Sequence, residues 1–212
     1  MVEILVADDH EVMRQGMKGL LEMEQEWHVC AQASDGREAV ALAARVSPNV
    51  AVLDLSMPEL NGLEATRQIM KVSPSTKVLI FTVHDSEHLA REVLESGAHG
   101  YVLKTDAATH LVSAVKAVEA GSHYVSARLS LARVDSSRTR SGSRAQRSTL
   151  TEREREITQL LAEGKSNWCA ATILGISVKT VETHRAKIMH KLGLESIVEL
   201  VHYAVRNQIV AP

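Results

Sequence analysis

The sequence predicts an α/β plus all-α protein: a (βα)5 doubly wound domain joined by a flexible linker to a four-helix domain. Three observations point there. Short, nearly continuous apolar runs alternate five times with amphipathic segments of helical spacing, as expected for strands buried on both faces of a parallel sheet. A Ser/Arg-rich stretch without periodicity follows. Helical spacing then returns, punctuated by the Ser, Thr and Gly residues that start and stop helices. A chain of 212 residues is long enough for two such domains, each burying its own core.

The strands are read at 3–9 (EILVADD), 28–34 (HVCAQAS), 49–55 (NVAVLDL), 77–83 (KVLIFTV) and 100–104 (GYVLK). Helices fall at 11–24, 36–46, 62–72, 86–96 and 107–120; Ala39, Leu42, Ala43 and Val46 share one face of the second. Residues 1–122 make up this first domain. Residues 123–147 read as linker: over 126–149, eight Ser or Thr ahead of Thr149 and six Arg leave too little apolar surface to offset the entropy of ordering the chain. Residues 148–212 form the helical domain. Thr151 and Glu154 make a capping box for a helix that ends at Gly164. A short helix at 166–174 stops at Gly175, and Ser177 caps a longer one running through Leu192 to Gly193. Ser196 opens the last helix, striped with Ile197, Leu200, Val201, Ala204 and Val205.

Composition narrows the function classes. No apolar run approaches the ~18 residues of a membrane span, and an N-terminus that carries Asp8 and Asp9 lacks the layout of a secretory signal, so a cytoplasmic protein with no membrane partner is expected. Cys30 and Cys169 lie far apart in unlike contexts and read as reduced thiols. The net charge of −2 divides unevenly. Residues 1–125 carry 10 Lys/Arg against 18 Asp/Glu, and residues 126–212 carry 14 against 8, which makes the second half a candidate for polyanion contact. With 3% aromatic residues, recognition of single strands or RNA by stacking is disfavoured.

Chemistry in an open parallel sheet gathers beyond the carboxyl ends of its strands. Those ends carry Asp8 and Asp9, Asp54, Thr82 and Lys104. Three converging carboxylates repel unless a cation joins them, and carboxylates with a carbonyl suit Mg2+. A lysine and a hydroxyl at the same edge would then hold a further anion, such as a phosphoryl group on Asp54.

Through VADDH, LDLSMPELNG, FTVHD and GYVLK, in that order, residues 1–122 resemble the receiver domain of response regulators. The resemblance implies that Asp54 accepts a phosphoryl group from the phosphohistidine of a sensor histidine kinase, with Mg2+ held by Asp8, Asp9, Asp54 and the Ser56 carbonyl. It implies that Thr82 and Lys104 bind the phosphoryl oxygens and that Tyr101 swings inward on occupancy. It also implies no turnover beyond the domain's own phosphorylation and dephosphorylation. An aspartate-nucleophile phosphatase needs an acid two positions past the nucleophile, where this chain has Ser56. Thr105 stands where many receivers place proline. His84 and His88 are spaced i,i+4 but lack further ligands nearby, and read as surface residues.

In the helical domain, the segment 177–192 turns Val178, Val181, Ile188 and Leu192 toward a core and presents a polar, cationic face, as a major-groove helix must. The short helix and Gly175 before it complete helix-turn-helix geometry. Through LTEREREITQLLAEGKSN and LGISVKTVETHRAKIMHKLGL, residues 148–208 resemble the LuxR-type helix-turn-helix of NarL/FixJ-class two-component response regulators. That implies base-edge contacts from Glu182, Thr183 and Ala186 and phosphate contacts from Lys179, Thr180 and His184; charge and position add Lys187. The expected protein is a phosphorylation-dependent transcriptional regulator. Its expected partners are a sensor histidine kinase, double-stranded promoter DNA and, when phosphorylated, a second copy joined through helix 196–208, with RNA polymerase a further candidate.

One triplet departs from that family. Trp168-Cys169-Ala170 replaces the usual Lys or Arg, Glu and Ile in the scaffold helix. Ala170 in place of isoleucine removes about three methylene-sized groups from a core position, worth ~1–4 kcal/mol unless neighbours refill the space. The expectation is a repacked scaffold with Trp168 folded over the gap; the alternative is a receiver-containing interaction module with weakened DNA binding.

Overall fold

The computed structural model describes residues 1–106, 108–129 and 150–210. The chain divides into two compact units, Met1–Arg133 and Val134–Pro212.

The first unit runs β1 (Val2–Ala7), α1 (Glu11–Leu21), β2 (Trp27–Ala33), α2 (Gly36–Val46), β3 (Val50–Leu53), α3 (Gly62–Val72), β4 (Lys77–Thr82), α4 (Glu87–Glu95), β5 (Gly100–Leu103), α5 (Ala108–Glu119) and β6 (Tyr124–Val125). The strands form one sheet in the order β2-β1-β3-β4-β5-β6, and every pairing is parallel. Successive strand residues point to opposite faces. Leu5, Leu53, Ile80 and Tyr101 therefore pack with Ala39, Ile69 and Val93 of α2, α3 and α4. Ile4, Val6, Val52 and Val102 pack instead with Met17, Leu21, Leu111 and Val115 of α1 and α5. Burial on both faces is why these strands lack polar alternation.

Strand order reverses at β1, which has β2 on one side and β3 on the other, so the crevice beyond β1 and β3 is the topological switch point. Both strands stop short of the expected runs. Asp8 and Asp9 follow β1 and Asp54 follows β3, all in the loops that line the crevice.

The sixth strand is the main difference from the five-repeat expectation. Tyr124 pairs with Gly100 and Val125 with Tyr101. The Ser126 N–H donates to the Tyr101 carbonyl at 3.0 Å, and the Ser126 hydroxyl accepts from the Leu103 N–H at 2.9 Å. Leu129 is buried in the core shared by Leu103 and Tyr101. The first unit's structure thus continues past residue 122 into the segment expected to be linker. The remainder of that segment, 130–147, lies outside the described residues.

In the second unit α6 (Glu152–Ala162), α7 (Asn167–Leu174), α8 (Val178–Leu192) and α9 (Ile197–Arg206) surround Leu150, Ile157, Leu160, Leu161, Ala170, Leu174, Val181, Ile188 and Leu200. Thr151, Ser166, Ser177 and Ser196 each accept the N–H three residues ahead, satisfying one orphan donor per helix. The Thr151–Glu154 capping box is present in full. Gly175, at φ 62°, ends α7 in the left-handed region, where glycine carries no Cβ penalty. Along α9, Leu200 and Ala204 are buried whereas Ile197 and Val198 are exposed.

The triplet folds differently from expectation. Ala170 is completely buried, but Trp168 is 67% exposed and does not cover it. Residues two apart in a helix point to nearly opposite faces, so an indole at 168 cannot fill a gap beside 170. Cys30 and Cys169 are both free. No helix among the described residues is long and apolar enough to cross a membrane.

Candidate functional site

The crevice at the switch point is built around Asp54, which is 5% exposed. Its N–H donates to the Ala7 carbonyl at 2.8 Å, locking the end of β3 to the end of β1. Behind it the Gly62 N–H donates to the Leu55 carbonyl, and a Cβ on Gly62 would lie 2.2 Å from the Asp54 carbonyl oxygen. Only glycine lets the start of α3 lie this close.

One carboxylate oxygen of Asp54 accepts the Leu55 N–H at 2.7 Å, and the other lies 3.1 Å from Lys104 Nζ. The same ammonium is 2.6 Å from Asp8 Oδ2. Lys104 thus bridges two buried carboxylates. Burial pushes the Asp54 carboxyl above its usual range; Lys104 draws it back, and the neighbouring Asp8 charge raises it further. One cation does not neutralise the pocket.

Asp8 Oδ1 accepts the His10 N–H at 2.9 Å, and Arg14 donates to the Asp8 carbonyl at 2.7 Å. Asp9 is exposed, with its carboxylate 2.8 Å from His10 Nδ1. Asp8, Asp9 and His10 each offer a ligand atom, all within 4.8 Å of one another. His10 was not expected there, although it directly follows the aspartate pair in the sequence. A hard divalent cation fits this donor set: a buried carboxylate, an exposed one beside it, and a third carboxylate across Lys104.

Of the remaining expected residues, Thr82 is fully buried at the end of β4, and the Lys104 N–H donates to its carbonyl at 2.7 Å. Tyr101 is fully buried, its hydroxyl donating to the His84 carbonyl at 2.8 Å. Burial pushes its phenol pKa upward, with the Asp54 and Asp85 charges adding to the shift. Ser56 is half-buried, its hydroxyl 2.7 Å from His84 Nε2. His84 therefore departs from the reading of it as a surface residue. It is half-buried and bonded to three of the expected site residues, Ser56, Thr82 and Tyr101, while His88 is exposed. The bonds span loops far apart in sequence, and no local pattern announces them.

In the second unit, Lys179, Thr180, Glu182, Thr183, Ala186 and Lys187 are all exposed on α8, and Val181 and Ile188 are buried on its other face. Lys179 lies 3.6 Å from Glu182 one turn on. The Thr180 hydroxyl is 2.8 Å from that of the N-cap Ser177. His184 is half-buried, and its Nδ1 finds no hydrogen-bond partner among the described residues. Lys191 donates to Glu154 at 2.8 Å, fastening α8 to the capping box of α6.

Residues 4–116 match the response regulator receiver domain family, and residues 148–204 match the bacterial regulatory proteins of the luxR family. The chain is 38% identical over 215 residues to the oxygen regulatory protein NreC of Staphylococcus carnosus, covering 99% of each protein. It is 34% identical over 221 residues to the transcriptional regulatory protein DegU of Brevibacillus brevis, covering 97% of this chain and 94% of that protein. Among solved structures, a chain from the structure of two RcsB dimers bound to two parallel DNAs superposes with a TM-score of 0.58 at 26% identity, over 95% of this chain and 96% of that one. A buried aspartate crevice at the switch point, a helix-turn-helix behind it in the sequence, and relatives aligned over nearly their whole length lead to one conclusion: the chain belongs to the NarL/FixJ class of two-component response regulators, phosphorylation-dependent transcriptional regulators in which a receiver domain precedes a LuxR-type DNA-binding domain.

Proposed function

We propose that Asp54 is the phosphoacceptor, taking its phosphoryl group from the phosphohistidine of a sensor histidine kinase in the cytoplasm. The observation that carries this reading is the Lys104 ammonium between the buried carboxylates of Asp8 and Asp54 at the switch point. An Asp54 oxygen attacks phosphorus, the P–N bond breaks, and the imidazole leaves with the electron pair. Lys104 exchanges part of its contact with the carboxylates for a phosphoryl oxygen, and the Thr82 hydroxyl donates to another. Asp8, Asp9, Asp54 and the Ser56 carbonyl would hold Mg2+, which when bound supplies the positive charge that lets carboxylates and phosphoryl oxygens share the crevice. The receiver catalyses only this transfer and the later hydrolysis of its own acyl phosphate. Tyr101, seated inward against the His84 carbonyl, would report the state of the β4 end.

In the second unit, Glu182, Thr183 and Ala186 would face base edges, with Glu182 accepting from a cytosine amino group. Lys179, Thr180, His184 and Lys187 would serve the phosphates. The exposed Ile197 and Val198 of α9 support a dimer seam, as does the RcsB relative bound to DNA as dimers. RNA polymerase would be a further partner of the bound dimer. Asp54→Asn abolishes labelling by acetyl phosphate or kinase; acid-labile phosphate persisting on that variant refutes the assignment. A Glu182/Thr183 double substitution removes sequence preference while retaining salt-sensitive non-specific binding, and an unchanged preference in gel shifts refutes the α8 reading.

A further inference from the structure

His99 and His123 stand just ahead of β5 and β6, at the edge of the first unit's sheet. Their rings are stacked, with planes 10° apart and centroids separated by 5.8 Å. His99 is half-buried and ties neighbouring strands together: its N–H donates to the Val78 carbonyl at 2.7 Å, and its carbonyl accepts the Tyr124 N–H at 3.2 Å. The ring adds a third bond, with Nδ1 accepting the Val78 N–H at 3.3 Å. A backbone N–H only donates, so this bond requires an unprotonated Nδ1, and the neutral ring carries its proton on Nε2. Protonation turns Nδ1 into a second donor facing the first. The other histidine bond at this edge has no such requirement. His110 Nδ1, on α5, lies 2.9 Å from the Tyr124 hydroxyl, and a phenol both donates and accepts.

We propose that this pair is an acid-sensitive latch: with both rings neutral it holds β6 against β5, and protonation of His99 releases it. Burial opposes a positive charge on His99, and Lys77 at the start of β4 and His123 ahead of β6 oppose it further, so its pKa lies below the ordinary 6.5. The titratable groups on β6 and α5, Tyr124 and His110, are occupied with each other. Because the folded pKa is lowered, the contribution of the neutral ring is complete above pH ~6.5 and is lost as the pH falls through the lowered value. An imidazolium at 99 must turn away from Val78, and its departure unstacks His123. What then holds β6 is a ladder two residues long, with the Ser126 bonds beyond it. Release opens the side of β5 that Tyr124 and Val125 cover.

The test is amide hydrogen exchange on the full-length, unphosphorylated chain, followed by NMR at about pH 7.5 and about pH 5 and corrected for the intrinsic exchange rate. Protection of the Tyr124 and Ser126 amides should fall on acidification, by up to about tenfold for each unit between the His99 pKa values of the latched and released edge. Protection of the β3 amides, in the interior of the sheet, should hold. His99→Asn sets an amide oxygen close to the position of Nδ1, where it accepts from Val78 without titrating; β6 in this variant should stay protected at both pH values. His99→Ala should lose protection at both. Equal protection of the wild-type Tyr124 and Ser126 amides at the two pH values overturns the proposal. So does an acid-induced loss that persists in His99→Asn or spreads equally to β3, or a His99→Ala edge as protected as wild type at about pH 7.5.

Discussion

Replacing Lys104 by methionine keeps most of the side-chain volume and removes the only charge on it. The ammonium lies 2.6 Å from Asp8 and 3.1 Å from Asp54, and its side chain is 9% exposed. At an effective dielectric of about 20 these separations correspond to gross attractions of about 6 and about 5 kcal/mol. Desolvation of three charges opposes that gain. The net quantity is better taken from buried pairs that have lost one partner, which are destabilised by about 3–5 kcal/mol because a charge stays buried and uncompensated. The first unit of Lys104→Met should therefore melt about 10–20 °C below wild type in chelator at neutral pH. Added Mg2+ should raise the variant's midpoint more than that of wild type, because binding to the folded state alone stabilises it by mass action and the variant presents the more negative crevice. Trp27 is nearly buried in the first unit, and Trp168 is the chain's other tryptophan, so fluorescence-detected unfolding in a Trp168→Phe background reports the first unit. A loss below about 1 kcal/mol, the range of a surface pair, with no difference in Mg2+ response would refute the view that Lys104 bridges both carboxylates as a buried counter-charge.

Other consequences are as direct. Gly62→Ala places a Cβ 2.2 Å from the Asp54 carbonyl oxygen, so the Asp54 loop must shift; acetyl-phosphate labelling should slow at least about tenfold and stability fall by about 1–3 kcal/mol, measured by label uptake and thermal melts. In the second unit, burial pushes the Glu154 carboxyl up, but the bonds from Lys191 and Thr151 outweigh it and hold the pKa below its ordinary 4.5. The ionised form is then favoured in the folded state, so this stabilisation is present above pH ~4.5 and lost as the pH falls through the lowered value. Lys191→Met should flatten that acid-side dependence in pH-dependent urea unfolding of the second unit and cost about 1 kcal/mol at pH 7. Trp168→Lys alters an exposed position, so its unfolding free energy should match wild type within about 0.5 kcal/mol. Its DNA affinity should rise at low salt with a slope steeper by up to about 0.9, read from binding isotherms across a salt series.

What the sequence made legible followed the range of the forces involved. Strands such as Val50–Leu53 and Lys77–Thr82 announce themselves because burial on both faces demands unbroken apolar runs. Helix starts were equally plain, since Thr151, Ser177 and Ser196 act on N–H groups three residues away. The acidic crevice was legible because strand ends in a doubly wound sheet converge by topology. The second strand pair was not simple in detail: β1 and β2 shift register between Ile4 and Leu5, which no apolar pattern encodes. The roles of His84 and His10 were invisible, because one depends on loops brought together from three strands and the other on a rotamer beside two aspartates. Trp168 was misplaced by judging size without helical phase; the 200° between residues 168 and 170 decides the matter.

The short β6 has a consequence for assembly. A terminal strand with open N–H and C=O groups is a template on which another chain can polymerise, and β5 would have been such an edge. Two residues of its own chain, with the Ser126 bonds beyond them, occupy that side of β5 instead. Two copies of the first unit cannot therefore zip together along β5 while this short strand stays in place. The strand that carries Tyr101 and leads to Lys104 is insulated from stray partners, at the cost of leaving only a two-residue edge outside it.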